Sequence, residues 1–246
     1  MTAWLHPKLA AFAPALIIFD KDGTLIDFHA MWGAWAVELA QCLETTVDLP
    51  VAPLLFKALG FDPVGGRIAP HGHLALTPAA GLKALVADLL QAAGVSRQKA
   101  EAALTACWQV PDPVALARPV TDLKVLFAAI RSQGAKIAVA TSDDRPSTEA
   151  TLVGLGVRPL VDALACADDG RPIKPDPDMA WRICRRLDVP PARTVVVGDN
   201  VVDLQMGRAA GAGLIIGVLS GVGVPSELAV YADIVLPSIA SLLESR

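Results

Sequence analysis

Three carboxylates stand close together in ALIIFDKDGTLID, residues 15–27: Asp20, Asp22 and Asp27. The first two lie directly behind an apolar run with the character of a buried strand, and Gly23 and Thr24 follow them. Similar endings recur along the chain: Thr141 and Ser142 close IAVATS, Lys174 sits in GRPIKPDP, and Asp199 and Asp203 share GDNVVD. Any one cluster has a local explanation, because Asp, Gly and Thr are ordinary turn and helix-capping residues; Thr141 alone reads as a cap, and Lys174 as a surface lysine. Together they describe a site. Acidic oxygens converging from several strands repel one another unless a cation lies between them. A hard divalent ion such as Mg²⁺ accepts carboxylate and carbonyl oxygens and keeps positions for water or phosphate. The Thr141 hydroxyl and the Lys174 charge are what a phosphoryl oxygen requires, and a carboxylate beside the ion can serve as nucleophile.

Spacing divides the labour. Side chains alternate along an extended segment, so Asp20 and Asp22 are expected to face one crevice, with Lys21 turned away. Asp203 lies one helical turn beyond Asp199 and is expected to face back toward it. Gly23 permits a positive φ or close backbone approach to a phosphate. Asp27 reads as a cap for the helix that follows.

The elements that must position these residues are visible as apolar runs: ALIIFD (15–20), KIAVATSD (136–143), TVVVGDN (194–200), GLIIGV (213–218) and a weaker DIVLP (233–237). Runs apolar on both faces fit strands covered by helices on both sides. Helical patterns alternate with them in VTDLKVLFAAIRSQG, PDMAWRICRRLDV and VVDLQMGRAAGAG. The expected fold is α/β, a doubly wound, Rossmann-like parallel sheet whose polar strand ends meet at one crevice.

Residues 28–117 differ, with helical patterns in HAMWGAWAVELAQCLE, PAAGLKALVADLLQAAG and SRQKAEAALTACWQ and no strand run. They read as an all-helical insertion, so that 1–27 and 118–246 form the core domain. The Gly- and Pro-rich GFDPVGGRIAPHGHLALTP is expected to be a loop, and PDPVALARP (111–119) a linker back to the sheet. In that loop Arg67 is either a solvated residue or a guanidinium placed to meet a carboxylate or second phosphate. His71 and His73 read first as surface histidines. Trp32 and Trp35, near Phe28 and Met31, read as the insertion's own core, its face toward the sheet, or a pocket wall.

The 246 residues, 53% apolar, can bury a large core. A net charge of -4, a pI near 5.5 and the lack of a Lys/Arg-rich run provide no field for nucleic acid. Cys42, Cys107, Cys166 and Cys184 show no C-x-x-C spacing, so free, buried thiols are expected rather than zinc or disulfides. MTAWLHPKLAAFAPALIIFD lacks the pattern of a secretory leader, which leads to the expectation of a soluble, cytoplasmic protein. Mean hydropathy is +0.48, but apolar windows such as AGAGLIIGVLSGVGVP are short and punctuated by Gly and Pro, and no membrane partner is expected.

DKDGT, IAVATSD, IKPDP and GDNVVD, in that order across nearly the whole chain, resemble the motifs of the haloacid dehalogenase superfamily, specifically its helical-cap phosphatases of the phosphoglycolate phosphatase-like type. The resemblance implies that Asp20 is the nucleophile that forms an aspartyl-phosphate and that Asp22 is the general acid and then base. It implies Mg²⁺ held by the Asp20 carboxylate, the Asp22 carbonyl, Asp199 and Asp203, with Thr141 and Lys174 on the phosphoryl group and Lys174 also screening Asp20. Ser142 and Arg67 are further substrate-binding candidates, and 28–117 is the cap expected to close over a small phosphorylated metabolite. Dehalogenases of the superfamily lack an acid at the position of Asp22, so its presence points to phosphoryl transfer. Lys21 also resembles the D-K-T-G-T of P-type ion pumps, but Asp22 stands where their Thr would. Ser142-Asp143-Asp144 departs from the Asn and Lys common near phosphoglycolate phosphatase, which bears on the substrate. A β-phosphoglucomutase-like sugar phosphomutase would use the same residues. A non-catalytic binding module would have lost Asp20, Asp22, Lys174 or Asp199, and none is lost.

Overall fold

A computed structural model describes residues 4–77, 79–109 and 115–244. The chain divides into two compact units, residues 1–28 with 113–246 and residues 29–112.

The first unit is built on six strands: β1 (Leu16–Phe19), β2 (Lys136–Ala140), β3 (Ala163–Ala165), β4 (Thr194–Gly198), β5 (Leu214–Val218) and β6 (Ile234–Leu236). They form one parallel sheet in the spatial order β3-β2-β1-β4-β5-β6. The order reverses at β1, and in such sheets ligands bind beyond the carboxyl ends of the strands at that reversal. The chain also carries a two-residue antiparallel ladder joining Trp4–Leu5 to Leu243–Glu244.

Alternation along the strands divides the core into two layers. Ile17, Phe19, Ile137, Val139, Val195 and Val197 pack with Leu126, Phe127 and Ile130 of α5 (Leu123–Ser132) and Leu152 of α6 (Arg145–Gly154). Leu16, Ile18, Ala138, Val196 and Ile215 pack on the opposite face with Met179 and Ile183 of α7 (Asp178–Leu187), Leu204 and Met206 of α8 (Val201–Ala210) and Leu228 of α9 (Pro225–Tyr231). Burial on both faces is why these strands read as unbroken apolar runs.

Local chemistry sets the helix ends. Asp122 accepts from the amides of Lys124 and Val125 at the start of α5, and Gly134, at φ 82°, follows its end. Asn200 and Asp203 form a reciprocal capping box at the start of α8. The strand missed by sequence is β3, three residues in DALACADD at the sheet's edge, too short for a periodic signal.

The second unit contains α1 (Phe28–Val47, starting one residue before the unit), α2 (Ala52–Leu59), α3 (Ala79–Ala92) and α4 (Arg97–Cys107). It is not wholly helical. The segment expected to be a loop forms an antiparallel ladder of Phe61–Asp62 with Arg67–Ile68, followed by a single helical turn at His73–Leu76. The buried His29 Nδ1 accepts from the Ile68 amide at 3.1 Å, which anchors the ladder to α1. Trp35 belongs to this unit's core: it is buried, meets Trp32 and Trp108 edge-on and donates to the Gln109 carbonyl at 2.5 Å.

The expectation of four free thiols is corrected here. Cys42 of α1 and Cys107 at the end of α4 form a disulfide, with Cα atoms 5.7 Å apart. The two residues are 65 positions apart, so only the packing of the first helix of the insertion against its last brings them together, and no local spacing could signal the pair. Cys166 and Cys184 are free and buried, as expected. The first residues of the expected linker, 111–114, lie outside the described residues. No helix among the described residues is long and apolar enough to cross a membrane.

Candidate active site

Asp20 follows β1 immediately, where Phe19 stands level with Val139 of β2 and Val197 of β4. Its amide donates to the Val197 carbonyl at 2.9 Å, continuing the ladder by one residue and opening the side chain at the point where strand order reverses. Lys174 reaches in from the β3–α7 segment, which holds a cis Lys174–Pro175 bond. Its ammonium lies 2.5 Å from Asp20 Oδ1 and 2.7 Å from Asp203 Oδ1. The surface-lysine reading fails, because the Lys174 side chain is only 2% exposed.

Asp199, at the end of β4, accepts from the Thr24 hydroxyl at 3.2 Å and from the Val222 amide at 3.0 Å. Asp203 uses one oxygen to cap the Asn200 amide at 3.0 Å and the other for Lys174, so a single residue starts α8 and faces the site. Asp20, Asp199 and Asp203 each present an oxygen within 4.8 Å of the others.

Burial is costly for so many carboxylates. It pushes the Asp20 carboxyl up to about 6; Lys174 pulls it down and Asp203 pushes it further up. Burial likewise raises Asp199 well above the usual range, helped by the charges of Asp20 and Asp203. Burial opposes the charge of Lys174, yet Asp20 and Asp203 outweigh it and hold the ammonium above its ordinary value. Three carboxylates, Asp199 and Asp203 buried and Asp20 partly so, around one ammonium leave negative charge uncompensated. The donors are all hard oxygens, so the site suits a divalent ion such as Mg²⁺.

Lys21 overturns the simple alternation expected for DKD. Instead of turning away it is buried, with its ammonium 2.7 Å from Asp22 Oδ1 and 3.1 Å from Asp143 Oδ2. The backbone is already leaving the strand: the amides of Leu25 and Ile26 both donate to the Lys21 carbonyl, so period-two alternation ends at Asp20. Burial raises the carboxyl of Asp22, and Lys21 lowers it. Thr141, buried at the end of β2, accepts from the Asp143 amide at 3.1 Å, which leaves its hydroxyl hydrogen for another acceptor. The cap of α6 is Asp144, not Thr141; Ser142 is exposed beside them.

The sequence model of the haloacid dehalogenase-like hydrolases matches residues 14–211, from the strand before Asp20 to the end of α8. The chain belongs to the haloacid dehalogenase-like hydrolases. It is 36% identical to the probable phosphatase IndB of Dickeya dadantii over 223 residues, 87% of this chain and 84% of that protein. It is 32% identical to the plasmid phosphoglycolate phosphatase of Cupriavidus necator over 116 residues, spanning 47% of this chain and half of that protein. The fold matches the crystal structure of a predicted phosphoglycolate phosphatase from Haemophilus somnus with a TM-score of 0.62 at 19% identity, covering 93% of this chain and 96% of that one. Family and relatives make this haloacid dehalogenase-like hydrolase a phosphoric monoester hydrolase.

In this hydrolase two glycines shape the acidic cluster. Gly23 has φ 89°, and a Cβ there would stand 2.5 Å from Asp199 Oδ2; at Gly221 it would stand 1.9 Å from the same oxygen. The Ser220 hydroxyl donates to the Gly23 carbonyl at 2.6 Å, joining the two loops. Residues 220–222 were missed in the sequence, where LSGVGVP reads only as part of an apolar window; the available signal was Ser-Gly-x-Gly directly behind a strand. Arg67 is exposed in the ladder of the 29–112 unit, and His71 and His73 are exposed beyond it. The structure thus gathers Asp20, Lys174, Asp199 and Asp203, with Thr24 and Val222 on Asp199. It assigns Arg67, His71 and His73 to the other unit.

Proposed function

We propose that the protein is a Mg²⁺-dependent phosphatase that hydrolyses a small organic phosphomonoester through an aspartyl-phosphate on Asp20. The observation that carries this reading is the convergence of Asp20, Asp199 and Asp203, with oxygens within 4.8 Å of one another, beside the buried ammonium of Lys174, which pairs with Asp20 and Asp203. Asp20, Asp199, Asp203 and the Asp22 carbonyl would hold the ion. Bound there, Mg²⁺ neutralises the carboxylates and the phosphoryl oxygens.

Lys174 fixes Asp20 through Oδ1, leaving Oδ2 to attack phosphorus. A bond forms between Asp20 and phosphorus as the ester P–O bond breaks, and Asp22 gives its proton to the departing alcohol. Asp22 then takes a proton from the water that attacks the phosphorus; the bond to Asp20 breaks, and inorganic phosphate leaves. Thr141, Ser142 and Lys174 hold the phosphoryl oxygens, and Arg67 is proposed for a charged group at the substrate's far end. Residues 28–117 act as the cap, with 1–27 and 118–246 as the catalytic core.

Release of phosphate from 4-nitrophenyl phosphate with Mg²⁺ tests the reading. Asp20→Asn is expected to lower the rate by about 10³-fold or more, since it removes the nucleophile outright. Full activity in that variant overturns the proposal. Following a hexose 1-phosphate by NMR distinguishes phosphate release from isomerisation.

A further inference from the structure

The general acid of a phosphatase must present one chosen oxygen to the leaving group, and Asp22 is held by a residue that no part of the mechanism above uses. Lys21 is the middle residue of DKD, and its side chain is 2% exposed. Its ammonium bridges Asp22 Oδ1 at 2.7 Å and Asp143 Oδ2 at 3.1 Å. Asp143 is fixed in turn: its Oδ2 accepts from the Ser147 hydroxyl at 3.2 Å, its carbonyl accepts from the Ala167 amide at 2.9 Å, and its amide donates to Thr141 Oγ1 at 3.1 Å.

We propose that Lys21, braced by Asp143, is a positioning residue that fixes which oxygen of Asp22 exchanges protons with the leaving group. An ammonium only donates, so Oδ1 accepts from Lys21 and the mobile proton is confined to Oδ2. The donor is buried in the turn that follows β1, so rotating the carboxyl plane removes one of the two carboxylates that its charge is paired with. The same brace reaches Thr141 through the Asp143 amide, and it thereby ties the orientation of the acid to the residue proposed to hold the phosphoryl group.

The inference rests on the phosphatase reading, which Asp20→Asn tests separately by abolishing turnover of every substrate. Lys21 is tested by leaving-group dependence. With initial rates, kcat/KM reports only the steps up to release of the alcohol, so it isolates the protonation by Asp22. A nitrophenolate departs with little help, whereas an alkoxide requires the acid.

Lys21→Met is expected to lower kcat/KM for an alkyl phosphate by about 10- to 100-fold more than for 4-nitrophenyl phosphate. Lys21→Arg, which keeps a buried donor, is expected to recover part of the difference. The rise in melting temperature caused by Mg²⁺ with beryllium fluoride is expected to match that of the parent chain. An equal fall on both substrates, no fall, or loss of the beryllium fluoride response overturns the proposal. If Lys21→Met does not fold, Asp143→Asn decides instead. It keeps the lysine and is expected to show the same selective loss at smaller size; a uniform loss or none overturns the proposal.

Discussion

At Asp20 burial outweighs the Lys174 ammonium, which by itself would hold the carboxyl below its ordinary range, and the group ends near 6. Between about pH 4 and pH 6 the folded chain therefore keeps a proton that the unfolded chain has lost, so without metal its stability falls as pH rises through that window. A cation competes with that proton. The rise in melting temperature produced by Mg²⁺ is expected to be larger at pH 8 than at pH 5, growing mainly as pH passes 6. Thermal melts with and without Mg²⁺ at four pH values check this, and a pH-independent shift contradicts it. The reversed fate of Lys21 is also a matter of single residues. Its type was plain in DKDGT, but its direction depended on Asp143, a residue on another strand's loop.

Among the elements, the loop after β5 does what neither Asp199 nor its strand does alone. The Val222 amide fixes Asp199 Oδ2 at 3.0 Å, and the Ser220 hydroxyl fastens the loop to Gly23. A methyl at Gly221 would stand 1.9 Å from the Asp199 carboxylate, so either the loop or the carboxylate must move. Gly221→Ala is expected to weaken Mg²⁺ binding by about tenfold or more, the scale at which groups orienting a metal ligand act. Titration of the melting temperature with Mg²⁺ measures it, and an unchanged midpoint removes the loop from the site. The helix α8 makes a related use of one residue: Asp203 satisfies the capping box and the site together. The G-D-x-x-x-D spacing pointed to the role beside Asp199 beforehand, while the capping box emerged only in the structure. The Asp62–Arg67 ladder was not legible, since a two-residue strand has no period to read.

On the scale of the whole molecule, the disulfide between Cys42 and Cys107 closes 65 positions of chain within the 29–112 unit. Cross-links of that span typically contribute about 2–4 kcal/mol by restricting the unfolded chain. Reduction, or Cys42→Ser with Cys107→Ser, is expected to lower the melting temperature, and calorimetry with and without reductant checks it; an identical melt denies the bond a structural role. From residues alone came the α/β class, four of the sheet strands with a fifth weakly marked, a helical insertion, and Asp20, Asp22, Lys174, Asp199 and Asp203 as candidates for the chemistry. Strand period, turn composition and motif spacing are short-range properties written in consecutive residues. Folding alone settled who meets whom: Lys174 reaches Asp20 across 154 positions, Thr24 reaches Asp199 across 175, and Cys42 finds Cys107. Such pairings follow from the order of strands in the sheet and the packing of helices against one another, and no window of sequence contains both partners.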